Sequence, residues 1–231
     1  MCRNARLVVP NCAHHVVHRG HNGEPVFVSD NDHAYYLKNL WEYKQKFNCR
    51  VYAYCLIPSR VHLLVDPGNQ PENLSRLIKH LAGRQARHIN RCDSRSGSLW
   101  EGRFRSSPVS SAYLLPCSRY IELSPVHSHL APGPDHYSWS SYRARIGQEE
   151  TALDPYPAYL DMGKAKAERA QRYREYANAG IPREEWSFIR QSLQSGHLIG
   201  EPEFKTKVES QLGRRLDRRP RGRPSKRVVA A

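Results

Sequence analysis

The chain has 231 residues, 39% hydrophobic and 25% charged, with 36 Lys and Arg against 22 Asp and Glu for a formal net charge of +14. That size holds one domain or a core with a small appendage, and the charge selects a polyanionic partner, most simply nucleic acid. No stretch reaches the apolar length of a membrane helix, and the N-terminal MCRNARLVVPNCAHHVV lacks the continuous apolar run of a secretory signal, so no membrane partner and a cytoplasmic address are expected. The cysteines Cys2, Cys12, Cys49, Cys55, Cys92 and Cys117 form no CxxC pair and read as free thiols.

Ala13–His18 reads as a first strand, ended by Arg19-Gly20. A helix follows, capped by Ser29, Asp30 or Asp32, with Tyr36, Leu37, Leu40, Trp41 and Phe47 at helical spacing. Val51–Leu56 and Val61–Val65 form a hairpin around Pro58-Ser59, and Asp66-Pro67-Gly68 stops it. Leu74, Leu77, Ile78 and Leu81 mark a second helix reaching toward Asn90. Trp100–Val109 predicts a fourth strand, and a short helix runs to Leu123, stopped by Ser124-Pro125. Tyr137–Tyr142 packs back on the core. This order predicts an α+β fold, an antiparallel sheet covered by helices. The expected division is a core over residues 1–148, a helical appendage over 149–213 and a basic tail over 214–231.

His62 lies on the hairpin's second strand, either as a structural histidine or as a metal ligand or proton-handling group. Period-2 geometry turns residue 60 the same way. That residue is Arg60, which has no lone pair for a metal and attracts phosphate. Tyr120, in the short helix, is either a packed aromatic or a nucleophile. Ser124, one turn later, reaches the same place, and Glu122 faces elsewhere and pairs with an arginine. His14 and His15 face opposite sides of their strand, so one can meet His62. Trp100, Arg103, Phe104 and Arg105 interleave aromatic and basic residues, a phosphate-binding surface with Trp100 stacking on a base. Arg84, Arg87 and Arg91 extend that track. Arg221 and Arg223, in RRPRGRPSKR, suit the minor groove of A·T-rich duplex DNA.

Five runs in order, HHVVHRG (His14–Gly20), AYCLIPSRVHLLV (Ala53–Val65), SLWEGRFR (Ser98–Arg105), YLLPCSRYIELSPV (Tyr113–Val126) and YSWSSY (Tyr137–Tyr142), resemble the REP-associated tyrosine transposases, a branch of the IS200/IS605-like superfamily. The resemblance spans roughly residues 3–145. It implies a ferredoxin-like HUH endonuclease domain that binds single-stranded DNA beside a palindromic hairpin. The family's tyrosine falls on Tyr120 and its second HUH histidine on His62. The implied reaction is attack on a DNA phosphate, giving a 5′-phosphotyrosine and a free 3′-OH, with Mg²⁺ or Mn²⁺ as the ion. Two positions depart from the family pattern: Arg60 replaces the first HUH histidine, and Ser124 replaces the usual asparagine. Either His62 recruits the ion with Ser124 and a rearranged His15, or Arg60 clamps phosphate without a metal. The alternative function is a repeat-DNA-binding protein of impaired catalysis. Monomer and homodimer both remain open.

Overall fold

Apolar alternation and helical periodicity place the main elements of the core where the structure, a computed structural model describing residues 6–216, has them. Strand β1 (Ala13–Arg19) is followed by helix α1 (Asp30–Lys46), β2 (Arg50–Ile57), β3 (Arg60–Asp66), α2 (Glu72–Cys92) and β4 (Arg105–Val109). The sheet order is β2-β3-β1-β4, every pair antiparallel. Each strand–helix–strand unit therefore straddles a strand of the other, which is the ferredoxin-like arrangement.

Helices α1 and α2 cover one face, burying Leu40, Tyr43, Leu74, Leu77 and Leu81 against Val16, Leu56, Leu63 and Val65. The start of α1 is fixed by Asp32, whose Oδ2 accepts from the backbone N–H of Ser29 at 2.8 Å and of Val28 at 2.9 Å. Its Oδ1 receives His88 Nε2 of α2 at 2.8 Å. Burial alone would raise this carboxyl, but these bonds hold it below its ordinary value. Asp32→Ala is expected to lower stability by about 1–2 kcal/mol, read from the urea unfolding midpoint.

The other face receives α3 (Leu114–Glu122), which leads into the short α4 (Ser124–His127). Ser124-Pro125 does not stop the helical path, because Pro125 falls in the first turn of α4, where its missing N–H is harmless. Strand β4 is also shorter than expected and begins at Arg105. Gly102 takes a positive φ of 61° in the preceding turn, and Trp100 meets Gly20 in a lone bridge. Tyr137–Tyr142 folds back along β2, with Leu56 N–H donating to Trp139 C=O at 2.8 Å and Ser141 N–H to Tyr54 C=O at 3.0 Å.

Beyond come α5 (Tyr142–Arg145), α6 (Pro157–Leu160), α7 (Lys166–Asn178), α8 (Arg183–Ser195) and α9 (Pro202–Leu212). Ile189 and Leu193 of α8 share a core with Val17, Leu64, Val109, Cys117 and Ile121. Ser107 Oγ of β4 donates to Ser192 C=O at 3.1 Å, pinning α8 to the sheet edge. Among the described residues, Cys12, Cys49, Cys55, Cys92 and Cys117 are free, and no helix is long and apolar enough to cross a membrane.

Candidate active site

The alternation of β1 turns His15, Val17 and Arg19 to the α3 face. Register does the rest: Val17 lies opposite His62, Arg19 opposite Arg60, and on the other side Val17 lies opposite Arg105. Helix α3 packs on this face through Cys117 and Ile121 and brings in Tyr120. Helix α8 packs beside it through Ile189 and Leu193, so the stripe Trp186, Arg190 and Gln194, at spacings of four, faces the opening. The result is a cleft of about 250 Å³ lined by Arg19, Arg60, His62, Arg105, Tyr120 and Ser124 together with that stripe.

His15 Nε2 and His62 Nδ1 are 3.1 Å apart, one donating and the other accepting. Tyr120 lies against both rings, centroid to centroid 5.6 Å from His15 and 6.3 Å from His62. Burial drives His15 down to about 3. Burial, then His15, Arg60 and Arg19, holds His62 well below the usual imidazole value. Both imidazoles are therefore neutral at pH 7. Burial raises the Tyr120 phenol, and Arg190, Arg60 and Arg19 pull it back. Glu122 faces away, as expected, and approaches Arg145.

The ion implied by the family resemblance can be tested against this donor set. Mg²⁺ and Mn²⁺ favour octahedral, oxygen-rich coordination. Among the described residues, the cleft wall carries no carboxylate. Ser124 Oγ already donates to Tyr120 C=O at 2.9 Å. His15 directs one nitrogen to His62, and its other nitrogen, Nδ1, is buried without a partner. Among the described residues, no group of three or more His, Cys, Asp or Glu is placed to hold a metal. With several guanidiniums around the opening, these residues do not fit a divalent cation.

A family profile described as Transposase IS200 like matches residues 8–124, just over half the chain. This chain belongs to the IS200-like transposase family. The matched segment holds β1 through α3, with Tyr120, His62 and Ser124; α8 lies outside it. Among solved structures, this IS200-like transposase is similar to a REP-associated tyrosine transposase bound to a REP hairpin, with a TM-score of 0.55 and 10% identity over 68% of this chain and 96% of that one. That likeness is one of fold. A presumed transposase from Deinococcus radiodurans R1 gives a TM-score of 0.36 and 21% identity over 52% of this chain and 96% of that one. No curated protein matches the sequence.

Several basic and aromatic candidates of this transposase lie elsewhere. Trp100 is 7% exposed on the α1–α2 side, where it stacks on His18 at 4.1 Å and donates Nε1–H to Ala82 C=O, so it offers no face to a base. Arg84 approaches Glu42 at 3.8 Å and lies over the Tyr43 ring, and it and Arg87 belong to α2, across the sheet from the cleft. Arg103 is exposed in the turn before β4, where it feels Arg6, and does not share a strand face with Arg105. Arg221 and Arg223 lie outside the described residues. Sequence reasoning missed Arg19, Arg190 and Trp186. Arg19 continues the His15–Val17 alternation, and Trp186-Arg190-Gln194 is a spacing-of-four stripe beside Ile189 and Leu193, so a signal was present for each.

Proposed function

We propose that this transposase nicks and rejoins single-stranded DNA beside a palindromic hairpin, with Tyr120 as nucleophile. The observation that carries the reading is a half-buried phenol packed on a neutral imidazole pair, inside a cleft edged by Arg19, Arg60, Arg105 and Arg190. The fold neighbour bound to a REP hairpin supports the choice of substrate. The phenolic oxygen bonds to phosphorus, the bond from phosphorus to the 3′-oxygen breaks, and a 5′-phosphotyrosine results. The phenolic proton passes to water, and the leaving 3′-oxygen takes a proton from water. Attack by a second 3′-OH reverses the step and joins strands. The neutral imidazoles pack against the phenol ring, and the guanidiniums bind the polyanion. No step is assigned to Mg²⁺ or Mn²⁺, and a cytoplasmic address accords with a DNA substrate.

The absence of a fitting cation site favours a second reading, a repeat-DNA-binding protein in which Tyr120 is structural. One experiment separates the two. The protein is incubated with labelled hairpins carrying randomised stems and single-stranded flanks, in Mg²⁺, Mn²⁺ or EDTA, then run on a denaturing gel. A covalent protein–DNA adduct is expected. Tight binding with no adduct in any arm establishes the second reading instead.

A further inference from the structure

Arg19 and Arg60 stand directly opposite each other across β1 and β3. Like charges at facing positions of an antiparallel pair are unfavourable. Arg190 adds a third guanidinium from α8; all three line the cleft and act on the Tyr120 phenol. Among the described residues, none of the three has a carboxylate within ion-pair distance, whereas Arg50, Arg119, Arg143 and Arg145 each do. Arg190 is also held in place: its Cζ lies 4.8 Å over the Trp186 ring, and α8 is tied to α3 by Arg119 and Glu185 at 2.7 Å. Three guanidiniums without a carboxylate partner among the described residues thus converge beside a phenol, an arrangement suited to an anion.

We propose that this cleft is built for a phosphate instead of a cation: Arg19, Arg60 and Arg190 hold the phosphodiester that Tyr120 attacks and supply the positive charge a metal ion would otherwise bring. The inference rests on the proposed nicking reaction for its substrate. Guanidinium is suited to the task, since its planar fork grips phosphate oxygens in pairs and stays charged. A trigonal-bipyramidal phosphorane places extra charge on its equatorial oxygens, and fixed cations around them favour that state over the ground state. Two of the three come from the facing ends of the two central strands, the last residue of β1 and the first of β3, and the third from α8, so the site is complete only when α8 is docked.

Anion binding can be tested apart from catalysis. Thermal unfolding of the full chain is compared in inorganic phosphate and in chloride at equal ionic strength, for wild type, Arg60→Gln and Arg190→Gln. Wild type is expected to gain several degrees in phosphate, and each variant to lose at least half of that gain. In chloride Arg60→Gln should melt at or above wild type, because the charge facing Arg19 has gone; a merely structural arginine would lower it. Titration of Mn²⁺ followed by electron paramagnetic resonance should leave the free-ion signal undiminished at equimolar protein. Stoichiometric Mn²⁺ binding, or equal phosphate gains in wild type and both variants, overturns the proposal. In the adduct assay, EDTA should not slow wild type, and Arg190→Gln should be slower by ~100-fold. An adduct that forms only with metal refutes this inference and keeps the nicking reaction. Absence of adduct in every arm refutes the nicking reaction, while the phosphate and Mn²⁺ measurements still decide the nature of the cleft.

Discussion

Tyr120→Phe is expected to abolish the covalent adduct proposed for this transposase while leaving the fold intact. The phenolic oxygen is the only heavy atom removed, and no described residue hydrogen-bonds to it. The ring keeps its packing on His15, His62 and Trp186. Unfolding free energy should therefore change by no more than ~0.5 kcal/mol, the range for a substitution that disturbs no packing or bond. Hairpin DNA affinity should also hold, since the guanidiniums remain. Adduct formation should fall below detection on a denaturing gel. A Tyr120→Phe variant that still forms an adduct would transfer the nucleophile to another group.

The same atom sets the pH profile. The phenol starts from an ordinary value of 10.0 and is raised by burial, with Arg190, Arg60 and Arg19 opposing that rise and Cys117 adding to it. At pH 7 it is protonated, and the phenolate fraction grows about tenfold per pH unit below the pKa. The wild-type rate should climb with that slope between neutral pH and pH 9. The imidazoles facing the phenol, on β1 and β3, have values pushed below 6.5, so their charging adds no limb in this range. A flat profile would place the rate-limiting step away from phenol ionisation.

What was legible in the sequence followed from local period. The hairpin around Pro58-Ser59, the capped α1 and the pairing of Arg60 with His62 on one face needed no tertiary information. The choice between His14 and His15 needed the position of the helices. His14 turns to the opposite face and is structural, its Nε2 accepting from Val9 N–H at 3.0 Å and its Nδ1 donating to Cys12 C=O at 2.8 Å. His15 took the site face because β1 lies next to β3 in the register that sets Val17 against His62. Basic residues misled for a physical reason. An arginine on a helix reads alike whether it faces a cleft or the far side of the sheet, so Arg84 and Arg87 resembled site residues while Arg190 resembled an appendage. Trp100 misled because a one-residue bridge replaced the expected strand and turned the indole inward.

Glu122→Ala should destabilise the protein by about 3–5 kcal/mol, lowering Tm by ~10 °C, because it strips the partner from a buried charge. Glu122 is wholly buried two residues past Tyr120. Its Oε1 accepts from Ser141 Oγ at 2.5 Å and lies 3.8 Å from Arg145 Nε, and its Oε2 accepts from Tyr173 Oη at 2.5 Å. Arg145 is buried in turn, donates to Tyr52 C=O, and lies over the rings of Tyr156, Tyr159 and Tyr173. Alanine would leave that guanidinium without a counter-charge and the Tyr173 hydroxyl without its acceptor, while Ser141 Oγ would keep only its longer bond to Tyr54 C=O at 3.2 Å. Tyr173→Phe removes one bond to a carboxylate and should cost roughly 1.5–3 kcal/mol. The two losses should not add, since both pass through Oε2, and a double-mutant cycle by urea unfolding measures the coupling. The functional consequence follows from position. Tyr173 belongs to α7, which leads directly into α8, and Glu122 ends α3, which carries Tyr120. This network therefore joins the helix that carries Tyr120 to the segment that delivers Arg190. Below its melting transition, Glu122→Ala should still bind hairpin DNA but form adduct more slowly than wild type. Equal rates would show that α3 and α8 hold their places without it.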